Sequence, residues 1–137
     1  MPGIGGKNHG KKYLRRLLDV ENKKVEAIEI ADDLKNYYEV LNCTCIDIVQ
    51  RRIGQKKFTI ICDDEGLFSA APKISAIDNL GQAQLVGNLF IVASGTDEDG
   101  NLIGLSKSEA EYILKRCVNM ATRIYPDPYP MLTQCEY

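Results

Sequence analysis

One stretch, Val86–Cys117, restricts what this chain can fold into more than any other. It reads VGNLFIVASGT, then DEDGN, then LIGL, then SKSEAEYILKRC. Leu89–Ala93 is a continuous apolar run, too short for a helix and rich in β-formers, so it predicts a strand buried on both faces. Gly95 and Thr96 end it. Asp97–Asn101 is a polar loop whose Gly100 takes positive φ at low cost. Leu102–Leu105 is then expected to return as the second arm of an antiparallel hairpin. Ser106 with Glu109 three residues on has the spacing of a capping box. Ala110, Ile113, Leu114, Cys117, Val118 and Ala121 recur at helical spacing, which predicts a helix from about Lys107 to about Met120.

The chain around this stretch has 137 residues and a formal net charge of −2, the size and balance of one soluble domain with its own core. Charge is uneven: residues 1–60 hold 12 Lys and Arg against 8 Asp and Glu, and residues 61–137 hold 5 against 11. A basic half is also a feature of nucleic-acid binders. No apolar run reaches the roughly 18–20 residues of a membrane span, so no membrane association is expected. Five cysteines without a CxxC pair predict reduced thiols in a cytoplasmic protein.

In order, Met1–Gly10 (MPGIGGKNHG) is expected to be a flexible arm before a single domain over residues 11–122. Lys12–Val20 and Lys24–Ile30 are read as a hairpin in preference to helix-then-strand. Asp32 is expected to cap a short helix carrying Leu34, Tyr37, Tyr38 and Leu41. Thr44–Ile53 and Lys56–Cys62 read as two strands around a tip at Gly54. Arg51, Arg52, Lys56 and Lys57 crowd that tip, either keeping a hairpin end soluble or forming a finger that contacts phosphate or carboxylate. Leu67–Leu85, with Pro72, Asp78, Asn79 and Gly81, reads as a structured loop with a turn of helix. Asn79 within it and Asn88 just beyond it are candidate binding groups, or turn residues satisfying their own backbone. Residues 123–137, with three prolines among tyrosines, read as an extended tail.

Catalytic and metal patterns fail on inspection. His9 is the only histidine and sits in the arm, so a histidine-based triad cannot form within the chain. The Gly6-Lys7 pair lacks the upstream glycine and the Ser/Thr of a phosphate loop. The Asp97–Asn101 loop has its glycine misplaced for calcium, and Ser108 stands where a Glu is required. Cys43 and Cys45 lack partners at zinc-site spacing. Asp63, Asp64 and Glu65 are adjacent turn acids with no partner group to make a site. No cofactor, metal or catalytic residue is therefore assigned.

The order EVLNCTCIDIV, FTIICDDEGLF, Pro72, Asn79 and LVGNLFIVASGTDEDGNLIGLSKSEAEYIL resembles a small domain family of unknown function found in Gram-positive bacteria, their phages and integrated mobile elements. The resemblance rests on the Asp64-Glu65-Gly66 turn, the Gly87-Asn88 pair and the loop into Leu105-Ser106, and spans about Tyr13 to Cys117. It implies an accessory protein of a mobile element and no particular reaction. The expected fold is α+β: a mostly antiparallel sheet of five or six strands with two packed helices. The expected function is a non-enzymatic binding or adaptor domain with a protein partner or self-association. The alternative is a nucleic-acid-binding accessory protein that uses the basic arm and the Arg51–Lys57 hairpin.

Overall fold

The computed structural model describes residues 12–41, 43, 45–63, 72–98, 100 and 102–137. Along the chain run β1 (Lys12–Asp19), β2 (Lys24–Ala31), α1 (Leu34–Leu41), β3 (Ile46–Ile53), β4 (Lys56–Asp63), β5 (Ile74–Ile77), β6 (Ala83–Val86), β7 (Leu89–Ala93), α2 (Lys107–Leu114), β8 (Cys117–Met120), β9 (Tyr129–Leu132) and β10 (Cys135–Glu136). They form a six-stranded sheet in the order β10-β3-β4-β7-β1-β2 and a four-stranded sheet in the order β6-β5-β9-β8. Every pairing in the large sheet is antiparallel, and only β5–β9 in the small sheet is parallel. The expected mostly antiparallel α+β fold with two helices holds in outline, and the large sheet has six strands, but a second, four-stranded sheet that was not expected stands beside it.

Strand β7 lies inside the large sheet between β4 and β1, and all five of its residues are buried. A strand with both faces covered gains from apolar residues at every position, hence the unbroken LFIVA. Its odd face, with Leu89 and Ile91, joins Leu18, Phe58 and Ile60, the small sheet's Tyr129, Met131 and Leu132, and α2's Ala110 and Ile113 in one cluster. Its even face, with Phe90 and Val92, joins Leu17, Ile61 and α1's Tyr37 and Leu41. The two helices thus cover opposite faces of the large sheet, and the small sheet lies on the α2 side.

β1 and β2 form the expected hairpin, in register from Lys12↔Ala31 to Asp19↔Lys24. β1 is covered on both faces, so Arg15 and Arg16 are buried. The Arg16 guanidinium donates to the Ala110 carbonyl of α2 (2.8 Å). Arg15 donates to the carbonyls of Ile103 and Leu102 (3.0 and 3.1 Å) and lies 3.7 Å from the Asp32 carboxylate. Asp32 also accepts from the Tyr37 hydroxyl and from the Leu102 N–H. The expectation that Asp32 caps α1 is corrected. Asp33 caps it, accepting the Lys35 N–H on its side chain and the Asn36 and Tyr37 N–H groups on its carbonyl. Adjacent aspartates present equal cap chemistry in sequence. The inward position of Asp32 opposite Arg15 decides between them.

Ser106 is the N-cap of α2, and the capping box with Glu109 is complete. The helix ends at Leu114, not near Met120, and Leu114, one of the residues at apolar helical spacing, is 38% exposed, so the stripe does not carry it into the core. Residues Cys117–Met120 instead pair with Tyr129–Leu132 as β8. Long-range pairing outweighs the weak helical preference of Cys-Val-Asn. Leu102–Leu105 makes a single bridge, Thr96↔Leu102, in place of a full hairpin arm.

Two further readings change. The stretch expected as a loop contains β5 and β6, elements of four residues that are too short to display a period. The segment expected as a C-terminal tail enters both sheets: β9 is buried along its length, and β10 pairs with β3. The N-terminal arm and the Asp64-Glu65-Gly66 turn lie outside the described residues.

Candidate functional site

β3 is the second strand from one edge of the large sheet, and β10 covers only part of it. The paired residues are Cys135↔Ile53 and Glu136↔Arg52. The Gly54 N–H donates to the Gln134 carbonyl (3.0 Å), which sets the phase of this ladder: even-numbered residues of β3 direct their backbone groups outward. Among the described residues, Ile46, Ile48 and Gln50 therefore have no strand partner on that side. The Gln50 carbonyl accepts from the Arg51 guanidinium (2.8 Å), so among the described residues the outward groups of Ile46 and Ile48 and the Gln50 N–H are the ones without a strand partner. Ile48 is 40% exposed on the same edge.

Beside this edge lies a cleft of about 390 Å³ between β3–β4 and β6, the edge strand of the small sheet. Asp47, Val49 and Arg51 line it from β3, Leu85 and Val86 from β6, and Tyr137 from beyond β10. The two-residue period of β3 brings the first three onto one face. The Arg51 guanidinium lies over the Tyr137 ring, 4.2 Å from its centroid. The cleft lining carries two acids, Asp47 and Asp63, and one base, Arg51, which stands four residues from Asp47 on the same strand, while Val49, Leu85 and Val86 supply its apolar part. Beneath Arg51, burial pushes the Cys135 thiol up to about 11, although the nearby guanidinium opposes the shift.

The other residues singled out in sequence do not gather here. The pleat divides the hairpin cations. Lys56 shares the face of Arg51 and Phe58, while Arg52 and Lys57 are directly paired on the opposite face. Lys56 and the Arg116 guanidinium both approach the Tyr112 ring (5.6 and 3.5 Å), beside a separate cavity lined by Gly54 and Gln134. The Asn79 N–H donates to the Glu136 carboxylate in the exposed β5–β6 turn. Asn88 accepts the Val20 N–H (2.9 Å) and so holds the β1–β2 turn. Asp47, Val49, Leu85 and Tyr137 escaped the sequence reading. The two-residue alternation of Ile46–Arg51 was the signal that could have placed Asp47 and Val49 with Arg51. Nothing local marked β6 or Tyr137 as their neighbours.

Among the described residues, no group of three or more His, Cys, Asp or Glu is placed to hold a metal ion. No helix among them is long and apolar enough to cross a membrane. No disulfide joins the cysteines.

The profile of a domain of unknown function, DUF3846, matches residues 15–118. The chain belongs to the DUF3846 family. No curated protein and no solved structure matches it. Two residues that carried the resemblance in sequence have structural work in this DUF3846 fold. Gly87, at φ +76, turns the chain from the small sheet into the large one, and Asn88 immediately ties that crossing to β1. The cleft spans the matched region and the chain beyond it, since Tyr137 lies outside residues 15–118.

Proposed function

We propose that this DUF3846 protein is a non-enzymatic binding domain whose β3 edge and adjoining cleft receive an extended segment of a protein partner. The observation that carries this reading is the outward backbone of Ile48 and Gln50 beside the cleft lined by Val49, Leu85 and Val86. An added strand would gain main-chain hydrogen bonds from the edge and place alternate side chains in the cleft. The family resemblance supports an accessory role in a phage or integrated mobile element, a setting in which a binding domain without turnover fits.

Panning a random peptide library on the purified protein tests it. Enriched peptides should bind the wild type and lose binding to Ile48→Pro. Proline removes an outward N–H and leaves the β3–β4 ladder intact, as edge strands tolerate. Peptides that bind Ile48→Pro equally would overturn the assignment of the site.

A second reading is nucleic-acid binding, supported by Lys56 and Arg116 around Tyr112. It requires retardation of DNA or RNA at low salt that falls steeply as salt rises. No retardation at low salt would remove it.

A further inference from the structure

We infer that the segment taken up by the β3 edge is the β3 strand of a second copy of this chain, in an antiparallel pairing about a two-fold axis at Ile48. The inference rests on the binding reading above and names the partner. The phase of the ladder decides the register. Because even residues of β3 face outward, a self-pairing must join even residues in hydrogen-bonded pairs. β10 extends alongside β3 as far as Arg52, with Tyr137 following toward Arg51, which among the described residues leaves Ile46–Gln50 for the second strand. Centring that segment on its middle residue gives Ile48 opposite Ile48, Ile46 opposite Gln50 and Asp47 opposite Val49 of the second copy.

Three features fit this register. Ile48, a large apolar side chain left 40% exposed on an edge, meets its own counterpart at the axis. The Gln50 N–H meets the Ile46 carbonyl of the second copy, and the Gln50 carbonyl takes the Ile46 N–H once the Arg51 guanidinium turns from it toward the second copy. On the cleft face, Asp47 lies diagonal to Arg51 of the second copy, because Arg51 stands two residues beyond Val49. Diagonal neighbours in an antiparallel pair are within reach of a long side chain. The two-fold axis generates this acid–base contact twice. The same strand carries both partners, four residues apart, so the edge is complementary to itself. A two-fold interface of this kind closes at two copies, because each edge is consumed.

Sedimentation of the purified full chain from micromolar to millimolar concentration tests the inference, with circular dichroism confirming that each variant folds. The wild type should dimerise and Ile48→Pro should remain monomeric. Asp47→Arg and Arg51→Asp should each weaken the dimer by about tenfold or more, since each turns two attractive diagonals into repulsive ones. The double variant Asp47→Arg/Arg51→Asp should recover most of that loss. A dimer undiminished in Ile48→Pro, or a double variant weaker than both singles, would overturn the inference. So would a wild type monomeric throughout. If such a monomer still selected peptides sensitive to Ile48→Pro, the binding reading would stand without the second copy. If it selected none, both would fall.

Discussion

Replacing Asp32 by Ala should be among the most damaging single changes in this fold. The Arg15 and Asp32 side chains are 0% and 2% exposed, and their charged groups lie 3.7 Å apart. Asp32 also takes the Tyr37 hydroxyl and the Leu102 N–H, and so ties β1, α1 and the chain after the β7 loop together. Removing the carboxylate leaves a guanidinium in the interior without its counter-charge, at a cost of about 3–5 kcal/mol. It also strands the buried Leu102 N–H, worth about 1–3 kcal/mol by itself. Arg15 keeps the Leu102 and Ile103 carbonyls, which offset part of this. The net expectation is therefore about 3–5 kcal/mol, a large share of the roughly 5–15 kcal/mol that holds a typical domain folded. Urea unfolding followed by circular dichroism measures it. Arg15→Met/Asp32→Ala should cost less than the sum of its two singles, because no orphan charge remains. A loss below about 1 kcal/mol for Asp32→Ala, or strict additivity in the cycle, would refute the reasoning.

Ile113→Ala should cost about 2–5 kcal/mol, since the side chain is fully buried against the large sheet, whereas Leu114→Ala should cost well under half of that; denaturant midpoints rank the two. Gly54→Ala should destabilise by more than about 1 kcal/mol in the same assay, because Gly54 has φ +62 and a Cβ there would stand 2.4 Å from the Tyr112 hydroxyl. Burial opposes ionisation of Asp19, but hydrogen bonds from Asn22, Glu21 and Asn88 outweigh it and hold the carboxyl below its ordinary value. A depressed folded-state value gives stability that is present above the unfolded pKa and lost as pH falls through the folded one. Asp19→Asn should therefore flatten the acid limb of stability below about pH 4, and urea midpoints across pH 2–6 check it. Iodoacetamide should modify the exposed Cys45 well before Cys117, whose thiol burial pushes up to about 12, or Cys135, and peptide mass mapping over time gives the order.

Local chemistry by itself determined the elements whose partners lie close in sequence or whose pattern is unambiguous. The run Leu89–Ala93 could only be a strand covered on both faces, and Ser106 with Glu109 could only open a helix, because apolar periodicity and cap hydrogen bonds act within a few residues. The β1–β2 and β3–β4 hairpins were legible for the same reason: short turns join strands that pair with their neighbours. Tertiary structure decided what depends on distant partners. Cys117–Met120 became a strand because Tyr129–Leu132 lies beside it, and four-residue β5 and β6 carry too few residues to declare a period. Asp32 and Asp33 are interchangeable in sequence, and only Arg15 across the core separates a buried counter-ion from a helix cap. The candidate site follows the same division. The alternation of β3 set Asp47, Val49 and Arg51 on one face, but the cleft exists only because β6 and Tyr137 arrive from elsewhere, and among the described residues the edge is left without a strand where β10 stops pairing at Arg52. Hydrogen-bond ladders between segments far apart in the chain leave no local trace, so the sequence could supply the strand and only the fold could supply its missing neighbour.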